Sequence, residues 1–206
     1  TLIAKALSMG LKVASCAWTG IAGNLLRFGQ TVHSLTKLPI PLLETSTCNI
    51  APNSKQAEFI RSLSLIFIDE ASMVPLHGLR AIDLMLRDIT GSDVPFGGKL
   101  LLFAGDFRQT LPVIPRANPA VILENCMNRS PLWRHFTQMQ LTQNMRASPG
   151  EQEFSQWLLD LGEGRLQSQH PDTYPDQIDI PEQCTMTSDI VQAVYPNMEV
   201  DISECI

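Results

Sequence analysis

The chain has 206 residues, of which 44% are apolar, and a formal net charge of −6 at pH 7. This length and composition allow a full hydrophobic core, and no apolar run approaches the roughly eighteen residues of a membrane-spanning helix. The five cysteines are scattered and form no C-x-x-C pair, which favours a reducing intracellular compartment and argues against a zinc site. We therefore expect a globular intracellular protein with no membrane partner.

The charge is unevenly distributed along the chain. Residues 1–150 carry a balance of +5, whereas residues 151–206 carry −11. An anionic partner would therefore meet the first 150 residues and avoid the acidic tail. The positive balance is too small to establish nucleic-acid binding, and the acidic tail also fits simple solvation.

The first third of the chain alternates between helix and strand patterns. Helical spacing at residues 2–9 is followed by a predicted strand at 11–17 and by another helix, a rhythm typical of α/β folds. Residues 29–34 form a polar turn with hydroxyl groups and an imidazole, which suits a helix cap, the favoured interpretation, or contacts to a nucleic-acid backbone. A surface loop is predicted at 39–53 and a short helix at 54–62.

Two adjacent acids follow the most apolar stretch of the chain. The apolar residues 65–68 run directly into Asp69 and Glu70, and a helical segment follows at 74–89. This pattern predicts a buried parallel strand, beyond whose carboxyl end a ligand would bind. By itself the pattern also fits two solvated acids at a strand end.

A second apolar run, at residues 99–104, ends in a glycine and a polar segment. Gly105 allows a tight turn, and the neutral amide of Gln109 can hydrogen-bond a terminal phosphate without adding charge. We therefore expect the ends of these two strands to face one site.

The later residues give weaker patterns. A helix is predicted at 118–127, and an aromatic-basic cluster follows in which Trp133 and Phe136 suit core packing, the favoured interpretation, or base stacking. Residues 139–142 predict a third strand, which would place Arg146 near the sheet edge that carries Asp69, Glu70 and Gln109.

Helical patterns also occur in the last quarter of the chain. A helix is predicted at residues 154–161 and a short one near 188–194. The remainder of 165–206, which contains several prolines, is expected to be irregular.

Together these patterns resemble the PIF-type (petite integration frequency) DNA helicases, and most closely the form encoded by Helitron-type transposable elements. The resemblance covers nearly the whole chain, including the weaker stretches 154–165 and 194–196. Trp18 departs from it, since relatives carry a small or hydroxylated residue there. Five motifs occur in the order of that family: residues 17–22, 29–34, 68–73, 105–112 and 141–146.

The resemblance implies an α/β fold, namely a RecA-like P-loop NTPase domain with a parallel sheet flanked by helices. It further implies a superfamily-one motor that uses ATP and Mg²⁺ and moves 5′ to 3′ on single-stranded DNA. Asp69 and Glu70 would hold the metal, and Glu70 would also position and deprotonate the attacking water. Gln109 would sense the γ-phosphate, and Arg146 would act as an arginine finger at the nucleotide. The DNA contacts implied by the family's motifs are Thr19, His33 and Ser34.

The resemblance also implies a domain organisation. Residues 1–164 would form a first motor domain, and 165–206 an acidic, proline-containing connector toward a second RecA-like domain in the same polypeptide. The phosphate loop is expected just before Thr1, so that the 206-residue chain alone would be inactive. Roles in recombination, DNA repair and telomere maintenance, with residence in the nucleus, are further expectations from the family.

Two alternatives remain at this stage. The chain could be a non-catalytic, transposon-derived relic or interaction module that keeps the fold without ATPase activity. A nucleotidase or signalling ATPase unrelated to DNA is the other, although it gives no account of the polar segment at residues 31–34.

Overall fold

The computed structural model describes residues 2–168, 172–174, 177–186 and 188–195. Parts of the predicted connector, and Pro196 in the stretch 194–196, lie outside the described residues. The chain divides into two compact units, residues 1–140 and 141–206. The first unit contains the sheet, and the described residues of the second contain two α-helices and a short 3-10 helix.

The first unit is built on a parallel sheet of four strands in the spatial order β2-β1-β3-β4. The central pairing aligns Ala17 with Thr31 on one side and with Asp69 on the other, and Ile68 lies opposite Phe103. This confirms the predicted α/β class. The strands are β1 Val13–Ala17, β2 Gly29–Thr31, β3 Leu65–Asp69 and β4 Leu100–Phe103.

Helices connect the strands, and four of them begin at a residue whose side chain accepts a hydrogen bond from a backbone N–H three residues on, the usual N-cap. The capping residues are Thr19, Thr31, Ser54 and Asn118. The first-unit helices are α1 Leu2–Ser8, α2 Gly20–Leu25, α3 Val32–Thr36, α4 Lys55–Ser62, α5 Leu76–Thr90 and α6 Pro119–Glu124. The second-unit helices are α7 Gln152–Gly162 and α8 Ile190–Val194.

The core lies between the sheet and α5. Leu79, Ile82 and Leu86 follow a helical period of three to four residues and are at most 1% exposed, so one face of α5 is fully buried. The ring of Phe136 packs against Phe103 of β4, with centroids 5.1 Å apart in a T-shaped arrangement. Phe136 therefore contributes to the core of the first unit, as the favoured interpretation of the aromatic cluster expected.

The predicted third strand at residues 139–142 is wrong. The segment has no regular secondary structure, and the apolar side chains of Met139 and Leu141 are 83% and 99% exposed. Alternating apolar residues form a strand only when a neighbouring strand takes their backbone hydrogen bonds and a core takes their side chains, and this segment has neither. The strand therefore does not support the predicted placement of Arg146 at the sheet edge, and that placement stays a prediction.

The predicted polar turn at residues 29–34 is also only partly right. Gly29–Thr31 forms β2 at the edge of the sheet, and Val32 begins α3. The Thr31 hydroxyl accepts a hydrogen bond from the Ser34 N–H at 3.0 Å, so the helix-cap interpretation is confirmed for Thr31.

A buried carboxylate fastens α5 to the turn before β4. Asp83 is 4% exposed, and its Oδ1 accepts a hydrogen bond from the Phe96 N–H at 2.5 Å. Its Oδ2 lies 2.9 Å from the Nε of Arg87, an ion pair without hydrogen-bond alignment. Phe96 has a left-handed backbone conformation, φ 55°, which is unfavourable for a bulky residue. The carboxylate thus holds this strained turn in place.

Replacing Asp83 with alanine should destabilise the chain by about 2–4 kcal/mol, because the Phe96 N–H and the Arg87 guanidinium both lose a buried partner. Urea unfolding of the 206-residue chain, followed by tryptophan fluorescence, measures this. Asp88→Ala is the matched control, since Asp88 is an exposed acid on the same helix. Equal unfolding midpoints for the two variants would contradict the role of Asp83.

Candidate functional site

The carboxyl ends of all four strands lie at one edge of the sheet, because every pairing is parallel. The chain leaves β1 at Trp18, whose N–H donates to the Asp69 carbonyl at 3.3 Å. It leaves β4 at Ala104, whose N–H donates to the Ile68 carbonyl at 2.9 Å and whose carbonyl accepts from the Ala71 N–H at 2.8 Å. The structure therefore brings the ends of β3 and β4 side by side.

Asp69 and Glu70 both lie at this edge and are partly exposed. The Glu70 N–H donates to Asp69 Oδ1 at 3.0 Å, which fixes the first carboxylate against the backbone. Glu70 has a left-handed backbone conformation, φ 53° and ψ 41°, and turns the chain away from the line of β3. Its own carboxylate takes no hydrogen bond or ion pair from the residues that the structure describes.

The loop after β4 is seated directly on the segment that follows Glu70. A Cβ atom at Gly105 would lie 2.8 Å from the Ser72 backbone N and 2.9 Å from that of Ala71, so only glycine allows this approach. The buried Ser72 hydroxyl donates to the Thr110 carbonyl at 2.9 Å. Both ends of the loop are thus fixed to the chain beyond β3.

The carboxylate of Asp106 organises the interior of this loop. Its Oδ1 accepts from the Arg108 N–H at 3.0 Å and from Arg108 Nε at 3.3 Å, and its Oδ2 accepts from Gln109 Nε2 at 3.3 Å. The backbone hydrogen bond from Arg108 is the largest cause that lowers the pKa of Asp106 below its usual value, and the side-chain hydrogen bonds add to it. Gln109 itself is exposed.

The three predicted DNA contacts follow β1 and β2. Thr19 Oγ1 accepts from the Ala22 N–H at 3.3 Å, and Ser34 is exposed in the first turn of α3. The His33 ring lies 4.8 Å from the Trp18 ring, centroid to centroid, and its Nδ1 is 3.3 Å from the Leu38 carbonyl oxygen. Trp18 thus belongs to this edge as the ring partner of His33.

Arg146 belongs to a different unit of the chain from the other predicted residues. Arg146 lies in the second unit, where its backbone N–H donates to Asn144 Oδ1 at 2.9 Å, and its side chain is exposed. Within the first unit, three predicted residues lie on two neighbouring strand ends or the loops beyond them: Asp69, Glu70 and Gln109.

Sequence reasoning missed Asp106 and Ser72. For Asp106 a signal exists, because an aspartate that precedes a turn commonly accepts a hydrogen bond from the N–H two residues on. Ser72 gives no such signal, since its partner Thr110 is 38 residues away in the chain.

The pair of acids fits a magnesium ion. Mg²⁺ takes oxygen ligands, keeps several waters and is usually held by one or two carboxylates together with substrate phosphates. Asp69 and Glu70 supply such oxygens at a partly exposed edge. Within the described ranges there is no cluster of three or more His, Cys, Asp or Glu residues that could hold a metal.

A parallel sheet that ends in paired acids and a glycine-led polar loop belongs to the RecA-like class of α/β folds, and comparison with solved structures supports this. Pif1 from Bacteroides bound to single-stranded DNA is similar over 90% of this chain and 44% of its own, with a TM-score of 0.68 and 25% identity. Pif1 from Bacteroides sp. in complex with ADP-AlF4 is similar over 81% of this chain and 40% of its own, with a TM-score of 0.67 and 27% identity.

The family follows from the sequence comparison. The model of the PIF1-like helicase family matches residues 1–172, and the chain belongs to that family. The ATP-dependent DNA helicase Pif1 of Psychrobacter sp. is 31% identical over 150 residues, which are 72% of this chain and 23% of that relative. The chain thus spans about a quarter of this relative's length. In the part of the chain that the structure describes, no helix has the length and apolarity to cross a membrane.

Replacing Gly105 with alanine should destabilise the chain by about 1–3 kcal/mol, because the added methyl group collides with the backbone nitrogens of Ala71 and Ser72. Thermal unfolding of the 206-residue chain measures the loss. Gly20→Ala serves as the control, since a Cβ there meets no atom within 4 Å. If Gly105→Ala and Gly20→Ala unfold at the same midpoint, Gly105 does not pack closely against Ala71 and Ser72.

Proposed function

We propose that the protein to which this chain belongs is an ATP-dependent DNA helicase that moves 5′ to 3′ along single-stranded DNA. The observation that carries the proposal is the shared carboxyl edge, where Asp69 and Glu70 lie beside the loop that bears Gln109. Membership of the PIF1-like helicase family supports it. The similarity to Pif1 structures with single-stranded DNA and with ADP-AlF4 supports both proposed ligands.

Each residue of the edge has a proposed task in ATP hydrolysis. Asp69 and Glu70 hold Mg²⁺, which when bound offsets the negative charge of the phosphates. Glu70 also orients the attacking water and accepts its proton, a task that suits a carboxylate without a competing partner among the described residues. Gln109 binds the γ-phosphate through its neutral amide.

Arg146 is proposed as the arginine finger, which stabilises charge on the transferring phosphoryl group. The proposal rests on the family motif at residues 141–146. The 206 residues contain no Gly-x-x-Gly-x-Gly-Lys-Thr phosphate loop, whose backbone N–H groups and lysine hold the β- and γ-phosphates. We therefore expect negligible ATP hydrolysis from the 206-residue chain alone.

The proposed DNA contacts are Thr19, His33 and Ser34. A helix cap and a phosphate contact do not exclude each other, because a hydroxyl that accepts a backbone hydrogen bond keeps its own hydrogen to donate. Thr19 is in this state. Ser34 uses only its backbone N–H in the cap, so its hydroxyl remains available at the surface.

The biological setting is inferred from the family resemblance alone. We propose roles in recombination, DNA repair and telomere maintenance, residence in the nucleus and an origin in a Helitron-type element. No residue of the chain selects one of these roles.

Glu70→Gln should lower DNA-stimulated ATP hydrolysis by the complete protein about 10²- to 10⁴-fold, because the amide cannot accept the proton of the attacking water. Arg146→Ala should lower the same rate about 10³-fold or more, because the substitution removes the positive charge that would stabilise the transferring phosphoryl group. Steady-state phosphate release measures both rates. Glu58→Gln, an exposed acid on α4, is the matched control for charge.

The same assay separates the candidate functions. If Glu70→Gln hydrolyses ATP as fast as Glu58→Gln, the assigned role of Glu70 is wrong. If the complete parent protein binds single-stranded DNA but hydrolyses no ATP, it is a non-catalytic relic.

Ser34→Ala should raise the Kd for a labelled single-stranded oligonucleotide about threefold to tenfold, because one neutral hydrogen bond to the DNA backbone is lost. The slope of log Kd against log salt should not change, since no cation is removed. Fluorescence anisotropy with the complete protein measures both. Ser64→Ala, at the opposite end of β3, is the control, and equal Kd values for the two variants would remove Ser34 from the DNA surface.

A further inference from the structure

The Asp106 carboxylate contacts two polar residues of the loop after β4, Arg108 and Gln109. It accepts hydrogen bonds from the Arg108 backbone N–H, from the Arg108 guanidinium and from the Gln109 amide, at 3.0, 3.3 and 3.3 Å. The Asp106 carbonyl also accepts from the Gln109 N–H at 3.1 Å. Backbone and side chain of Gln109 are therefore both tied to the same residue.

Asp106 is itself fixed to the strand end that carries the acids. The preceding Gly105 lies against the backbone of Ala71 and Ser72 with no room for a side chain, and the buried Ser72 holds Thr110 at the other end of the loop. Both of these contacts are made by the two residues that follow Glu70. A group held by Asp106 is thus held relative to Glu70 as well.

A glutamine needs such support to act as a phosphate sensor. Its side chain has three rotatable bonds, and an exposed Gln109 without a tether would lose rotational freedom only when the phosphate arrives. The amide nitrogen has two hydrogens. The hydrogen bond to Asp106 Oδ2 uses one of them, which leaves the second hydrogen and the carbonyl oxygen for other partners.

We propose that Asp106 is a positioning residue that pre-orients the amide of Gln109, and with it the guanidinium of Arg108, for the terminal phosphate of the nucleotide. This inference rests on the proposed function, because it takes Gln109 as the residue that binds the γ-phosphate. Asp106 itself touches no reacting atom and acts through Gln109. Consistent with this task, the hydrogen bonds that it accepts keep the carboxylate ionised to a lower pH than usual.

The test compares four variants of the complete protein: Asp106→Ser, Gln109→Ala, the double variant, and Asp88→Ser as an exposed acid outside the site. Serine at position 106 can still accept the Arg108 N–H and keep the turn, but it is too short to hold the Gln109 amide. The measurements are kcat and KM for ATP, the Kd of ADP, the Kd of a non-hydrolysable ATP analogue, and the thermal midpoint of unfolding.

Asp106→Ser should lower kcat about tenfold to a hundredfold. It should also raise the Kd of the ATP analogue and leave the Kd of ADP unchanged, because only the analogue carries a γ-phosphate. The double variant should be no slower than Gln109→Ala, since the aspartate acts through the glutamine. The thermal midpoint of Asp106→Ser should equal that of Asp88→Ser.

Four outcomes would overturn the inference, and they separate it from the proposed function. If Gln109→Ala is slow and Asp106→Ser is as fast as Asp88→Ser, positioning by Asp106 is wrong while the role of Gln109 stands. If the losses in kcat of the two substitutions multiply in the double variant, Asp106 has a role independent of Gln109. If Asp106→Ser weakens the binding of ADP and of the analogue equally and lowers the thermal midpoint, the role of Asp106 is merely structural. If Gln109→Ala retains the parental rate, the proposed role of Gln109 fails and the inference fails with it.

Discussion

The parallel pairing of β3 with β1 on one side and β4 on the other is the constraint on which the rest of the structure depends. The residues of β3 from Leu65 to Ile68 are each at most 9% exposed, so this strand is covered on both faces. Burying an aliphatic or aromatic side chain of this size contributes about 1.5–3 kcal/mol, which makes this strand expensive to displace. Because parallel strands need crossover connections, the same pairing requires helices between the strands and collects all carboxyl ends at one edge.

Direct contacts hold together the two loops that follow β3 and β4 at this edge. The backbone bond between Ala71 and Ala104 continues the β3–β4 pairing beyond the strands, and the side chain of Ser72 reaches the end of the second loop. The close approach at Gly105 then removes the space in which the loops could slide. Displacing one loop must therefore displace the other, and the acids and the polar loop form one unit of structure.

The sequence predicted β3 because a strand buried on both faces must be apolar throughout, a strong local pattern. The edge strand β4 was predicted from its run of apolar residues, although Leu100 is 62% exposed. The prediction failed at residues 139–142, where Met139 and Leu141 alternate with polar residues but lie exposed without a neighbouring strand. The three-residue strand β2 has no buried residue and gives no apolar pattern, so the segment appeared as a turn. Strand formation at these places depends on the partner strand, which local sequence does not specify.

The same difference between local patterns and long-range contacts explains which residues of the candidate site were missed. Asp106 acts within a local turn and could have been predicted from the spacing Asp106–Arg108, whereas Ser72 depends on a partner distant in the chain. The left-handed conformation of Glu70 is not visible in the sequence either, since this backbone geometry favours glycine or asparagine.

Glu70 therefore has a backbone conformation that glycine would adopt at a lower free-energy cost. A residue with a Cβ atom in the left-handed region costs about 1–2 kcal/mol relative to the right-handed one, and glycine would avoid that cost. Two hydrogen bonds made by the Glu70 backbone hold the conformation: its N–H donates to Asp69 Oδ1, and its carbonyl accepts from the Met73 N–H. The Glu70 carboxylate takes no hydrogen bond or ion pair from the described residues. A strained acid whose carboxylate takes no hydrogen bond or ion pair from the described residues is consistent with the proposed role of Glu70 in ATP hydrolysis.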